Sequence, residues 1–147
     1  MSVEQNKQVA LDWIKAHLQG DDFTKPERPN WDEVLQYLDD DVEFWLIPGL
    51  VTAGTYGKSE YIKFTEIVRK HVVGPFDYTI NHIMGEGDYV HITAKGHCPL
   101  KNGKVFASEY SFLFKMRNGK ILRLEEFMNT HHYNEVWGDL DLSGGSD

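Results

Sequence analysis

Cysteine is nearly absent: Cys98 is the single one in 147 residues. A lone thiol excludes an internal disulfide framework and a cysteine metal cluster. It fits a reducing compartment, so the cytoplasm is the expected location. Positive charge is also scarce, with 15 Lys and Arg against 23 Asp and Glu and a net charge of −8. Phosphate backbones and anionic membrane surfaces would be repelled, so neither nucleic acid nor membrane is expected as a partner. No apolar run approaches the length of a membrane span. The opening "MSVEQNKQ" lacks a basic stretch followed by an apolar one, and no secretory signal is expected there. Internal repeats, linkers and phosphate-loop spacings are missing, and "GEGD" and "GTYGK" read as turns.

What is present suits one domain, 1–138, with 139–147 expected as a flexible C-terminal tail. Ser2 and Gln5 have capping-box spacing, ahead of Val9, Ala10, Trp13, Ile14 and Leu18 at helical intervals, with Gly20 as a stop. "DDFTKPERP" reads as a loop. Asn30 and Glu33 cap a short second helix whose apolar stripe is Trp31, Val34, Leu35 and Leu38, broken by "DDD". "VEFWLI" is a strand, "LVTAGTYG" a loop, and a third helix runs from Ser59 to about His71. The period then changes to two. "FDYTINHIM", "YVHITAKGHC", "VFASEYSFLFKMR" and "KILRLEEFMN" are four strands joined by turn chemistry, hence antiparallel. Helices segregated from such a sheet give an α+β domain.

On the last strand Leu122, Leu124, Glu126 and Met128 share a face that is apolar except for Glu126. Enclosure beside apolar walls disfavours a charged carboxylate and moves it toward the neutral range, where a general acid or base works best. The structural alternative is an ion pair with Lys95 or a cap to a backbone amide.

The element order, with "YLDDDVEFW", "GTYGKSEYIKF" and "NGKILRLEEFMN", resembles the nuclear-transport-factor-two-like superfamily over about residues 3 to 137. The nearest likeness is to its SnoaL-like polyketide cyclases and limonene-epoxide hydrolases, and ketosteroid isomerases belong to the same group. The resemblance implies a cone: a strongly bent, mostly antiparallel sheet wrapped on three N-terminal helices around a cavity. It implies a catalytic acid inside the cone on the last strand, which falls on Glu126. An Arg–Asp pair of the epoxide hydrolases maps onto Lys95 and His97. Two carboxylates of the ketosteroid isomerases map onto Trp45 and Ser111, so both are lost.

Family orientation puts His91, Thr93, Lys95 and His97 on the concave face, with Glu109 and Ser111 on the long strand and Glu43 and Trp45 on the first. The candidate catalytic residues are therefore Glu126, His97 and Lys95. Trp45, Tyr56, His91, Glu109, Ser111 and Met128 are candidate substrate contacts. Tyr110, Phe112 and Phe114 would then form an outer patch serving a homodimer. His82 reads as an interior histidine. His91 and His97 lie too far apart along a strand to share an ion, so no metal is expected, and no cofactor either. The expected activity is cofactor-independent isomerisation, cyclisation or dehydration of a small apolar carbonyl or polyketide-like substrate. A binding domain without catalysis, or an epoxide hydrolase-like activity, are the alternatives.

Overall fold

A computed structural model describes residues 2–17 and 29–142. The helix stop at Gly20, the loop before Pro29 and the last five residues fall outside that range.

Helix α1 (Val3–His17) starts where expected. Ser2 Oγ accepts from the Gln5 amide at 3.1 Å, and Gln5 Oε1 accepts from the Ser2 amide at 2.9 Å. Its buried stripe is Asn6, Ala10, Trp13, Ile14 and His17, the spacing of one helical face. Asn30 caps α2 (Trp31–Leu35), accepting from the Glu33 amide. This helix is shorter than its apolar stripe suggested, because Leu38 opens strand β1 (Leu38–Leu46) and carries "DDD" with it. Arg117 makes the acidic run tolerable: its Nη2 donates to Asp39 at 2.6 Å and to Asp41 at 2.9 Å. The Arg117 guanidinium holds the Asp39 carboxyl below the usual range. Within the expected loop, β2 (Gly54–Tyr56) pairs antiparallel with β1. Helix α3 (Lys58–Arg69) follows and buries Tyr61, Thr65 and Val68.

The four remaining strands are β3 (Asp77–Glu86), β4 (Tyr89–Pro99), β5 (Val105–Arg117) and β6 (Lys120–Met128), and a last helix, α4 (Thr130–Trp137), closes the described chain. The sheet order is β2-β1-β6-β5-β4-β3. Among the described strands only β1 and β6 run parallel. The curved sheet with its helices is the α+β architecture expected. Asn118 and Gly119 turn β5 into β6 with φ of 51° and 76°, the left-handed pair that a two-residue hairpin loop requires.

The faces differ from expectation on three strands. Glu126 lies opposite Leu46 on one side and Phe112 on the other, and Phe112 lies opposite Ile92. Directly paired residues share a face, so Glu126 inside places Phe112 and Ile92 inside. Tyr110, Phe112 and Phe114 are 6%, 0% and 0% exposed; they are core, not an outer patch. By the same register His91, Thr93, Lys95, His97, Glu109, Ser111, Glu43 and Trp45 point away from the cavity. Burial decides this: the alternate set Val90, Ile92, Ala94 and Cys98 removes far more apolar surface from water than the polar set would. His82 also faces outward, because a register shift between Ile80 and His82 reverses the alternation.

The expected tail is docked at its start. Leu140 and Leu142 pack against the core, and the Asp141 carbonyl lies 3.0 Å from His71 Nε2.

Candidate active site

The concave face of the sheet and the helices across it enclose a cavity of about 90 Å³. The sheet contributes Glu126 and Met128, joined by Leu46, Tyr78, Phe106 and Tyr110. Helices close the other side with His17 from α1, Tyr61, Phe64 and Val68 from α3, and Tyr133 and Trp137 from α4. Phe64 and Trp137 also wall a neighbouring open groove of about 750 Å³ that includes Tyr56, Lys63 and Leu140.

Among the described residues Glu126 is the one carboxylate of the cavity wall. Along β6 it stands between Leu124 and Met128; across the sheet it meets Leu46 and Phe112. None of these carries a donor. Among the described residues its carboxyl has neither a hydrogen bond nor an ion pair. Arg123 is committed elsewhere, to Glu125 at 3.1 Å and Glu43 at 3.3 Å on the outer face, and Lys95 is exposed on that same face. Glu126 is partly exposed and lines the cavity. Loss of water around the charged form pushes its pKa from 4.5 up to about 7.

Four tyrosines line the same cavity, and none of them is among the sequence candidates. Tyr78 and Tyr110 hydrogen-bond to one another, and burial raises both phenols well above their ordinary range. Tyr133 is raised too; its hydroxyl lies 2.7 Å from Thr52 Oγ1. All three stay neutral and feel the Glu126 charge. Gly96 makes room for two of them: a Cβ there would come within 2.7 Å of the Tyr110 ring and 3.0 Å of the Tyr78 ring. On the helix side Tyr61 stacks on Phe44 with centroids 3.7 Å apart, and its hydroxyl lies 2.7 Å from His17 Nε2. The available signal was the alternation of Tyr110, Phe112 and Phe114 with polar neighbours, which marks the buried row once it is read by apolar content. His17 continues the Ala10–Trp13–Ile14 stripe by one turn.

Of the nine residues singled out by sequence, the structure brings Glu126 and Met128 to the cavity. Tyr56 stands in the groove beside it and donates to the Thr52 carbonyl at 2.6 Å. Lys95, His97, Glu109, Trp45, His91 and Ser111 stand on the outer face. There His91 Nε2 meets Ser111 Oγ at 2.5 Å, and Trp45 packs on Phe127 with centroids 5.3 Å apart. Burial pushes the Cys98 thiol up to about 12, so it is no nucleophile near neutral pH. Among the described residues no group of three His, Cys, Asp or Glu is placed to hold a metal ion, and no helix is long and apolar enough to cross a membrane.

The cavity thus holds one acid near neutrality on the sheet, with phenols, an imidazole and further rings elsewhere on its wall. Such an acid can take and return a proton without a partner, and neutral donors can meet developing negative charge.

Comparison with known proteins agrees on the fold. An NTF2-like protein of unknown function from Burkholderia pseudomallei superposes with a TM-score of 0.74 at 19% identity, over 92% of this chain and 98% of that one. TerC, crystallised with polyporic acid, gives 0.71 at 18% identity, over 90% and 97%. A protein with a cystatin-like fold from Xanthomonas campestris gives 0.74 at 18% identity, again over 90% and 97%. No curated protein sequence matches the chain. A family model described as a SnoaL-like domain matches residues 25–124, more than half of the molecule, and the chain belongs to that family.

Proposed function

We propose that the protein is a cofactor-independent enzyme that moves a proton on a small apolar carbonyl compound, with Glu126 as the base and then the acid. One observation carries this reading: a carboxylate without a partner among the described residues faces a ring-lined cavity. Packing alone does not favour it, since a buried charge without a partner costs several kcal/mol or forces protonation. At neutral pH the group is divided between its two forms. It can therefore remove a proton from a carbon beside a carbonyl and return it at the same or another carbon. Isomerisation, aldol-type cyclisation and dehydration all begin with that step. TerC, crystallised with polyporic acid, supports a ligand-binding role for this architecture.

The cavity volume of about 90 Å³ sets the substrate at a handful of heavy atoms. A polyketide-sized molecule requires Phe64 and Trp137 to swing aside and join the cavity to the groove that they also wall. Lys95 and His97 take no part, because they lie on the other side of the sheet. The test is exchange of α-protons for deuterium in a small ketone, followed by proton NMR. The wild type exchanges with an inflection near pH 7; Glu126→Gln loses exchange by 100-fold or more. Equal exchange in Glu126→Gln would remove the carboxylate from the reaction.

The outer face is proposed as the surface of a homodimer. It presents Trp45 against Phe127, together with Leu113 and the His91–Ser111 contact. The lone buried thiol supports placing the protein in the cytoplasm.

A further inference from the structure

We infer that Phe64 determines which substrates the protein takes: its ring is a gate between the cavity and the neighbouring groove, and the ligand it admits is an uncharged ketone with a flexible apolar chain. This rests on the reading of the cavity as the reaction site. Phe64 and Trp137 are the two residues common to the walls of the cavity and of the groove. A chain that runs from Glu126 into the groove therefore passes them. The cavity holds about 90 Å³ and the groove about 750 Å³, so the room for a longer substrate lies beyond this partition.

The two residues differ in what holds them. Trp137 is 3% exposed. It meets Phe106 edge-on at 5.9 Å and Tyr133 at 6.1 Å. Its helix, α4, is tied to the loop after β1 by the bonds of Asn134 to Val51 and Gly49. Phe64 is partly exposed, and among the described residues its one ring contact is the stack on Tyr56, with centroids 5.5 Å apart. Tyr56 is anchored in turn, since its hydroxyl donates to the Thr52 carbonyl at 2.6 Å. Phe64 thus turns at the loss of one stack, whereas Trp137 moves only with α4. The turning of a single ring opens a passage about as wide as that ring. Such a passage admits an alkyl chain and refuses a fused ring system.

Beyond the gate the groove offers Ile67, Val51, Leu140 and Leu142. Ile67 stands one turn after Phe64 on α3, on the same side of the helix. A chain lying against these side chains removes apolar surface from water. The charged members of the groove, Glu60, Lys63 and Asp141, are exposed to solvent, so they need no counter-charge from the ligand.

The probes are 2-octanone, a linear ketone, and 2-decalone, a fused-ring one, with affinities from NMR titration. Wild type should bind 2-octanone tighter than 2-decalone by about 10-fold or more, and Phe64→Ala should narrow that gap to about 3-fold or less. Adding Ile67→Trp to Phe64→Ala fills the groove and should weaken 2-octanone binding again by about 10-fold. Independently, nuclear Overhauser contacts in the wild type should join the C1 methyl of 2-octanone to the Met128 methyl and its far methyl to the Ile67 methyls; this needs no variant to fold. An unchanged gap in Phe64→Ala, a far methyl without contact to Ile67, or no binding of 2-octanone overturns the inference. Failure of the Glu126 reading looks different: deuterium exchange is unchanged in Glu126→Gln while the dependence of binding on Phe64 persists.

Discussion

At the residue scale, Glu126 makes the fold weaker as pH rises. Its folded pKa, about 7, lies above the ordinary 4.5. Between these values the unfolded chain has released a proton that the folded chain still holds, so stability falls through that window. The full difference is on the order of 3 kcal/mol. Replacing Glu126 with Gln removes this loss: urea unfolding should find the variant more stable than wild type at pH 8 by about that amount, and no such gain at pH 4. A gain independent of pH would mean that the carboxyl is not buried as described. Gly96 offers a second residue-scale prediction. Gly96→Ala drives a methyl into the Tyr110 and Tyr78 rings, and overpacking of this kind costs about 1–3 kcal/mol, measurable as a lowered urea midpoint. Glu126 was legible in the sequence because strand alternation isolates it among Leu122, Leu124 and Met128. Lys95 and His97 lie on the opposite face from the one that the family resemblance implies, and the strand register gives the reason. Lys95 lies opposite Glu109, and Ser111 lies opposite Phe127, which is on the other side of β6 from Glu126. Alternation alone makes these positions and Glu126 mutually exclusive on one face.

At the scale of elements, the helix starts were readable because caps are local chemistry. Ser2 and Asn30 cap as expected. What the sequence hid was the bulge in β3. An extra residue at Asn81 leaves no compositional mark, yet it turns His82 outward and lets Ile83 follow Ile80 inward. Strand β2 was hidden for a different reason: three residues with an exposed glycine make no periodic pattern. Helix α4 matters most to the site, since it brings Tyr133 and Trp137 to the cavity. Asn129 caps it, accepting from the His132 amide at 3.1 Å. Asn134 ties it to the loop after β1 through Val51 and Gly49, both at 2.8 Å. Asn129→Ala should lower stability by about 1 kcal/mol and loosen Trp137. Denaturant titration followed by tryptophan fluorescence would read both.

At the scale of the molecule, the α+β class followed from the change of period along the chain, and the bent sheet was what the family resemblance implied. The sheet order did not follow from that change. Nothing local announces that β1 pairs parallel to β6 across more than 70 residues, yet this pairing sets Leu46 beside Glu126. The family match then accounts for a pattern that turn chemistry alone could not choose. The outer face, with Trp45 and Phe127, predicts a dimer. Sedimentation velocity should give twice the chain mass for wild type and the single-chain mass for Trp45→Glu, and a monomeric wild type would refute it. The proposed chemistry depends on the protonation of one side chain. Selective ¹³C labelling of glutamate carboxyls and NMR titration would follow Glu126 directly, assigned by its absence in Glu126→Gln. The account predicts a midpoint near 7, and a midpoint at the ordinary 4.5 would contradict it.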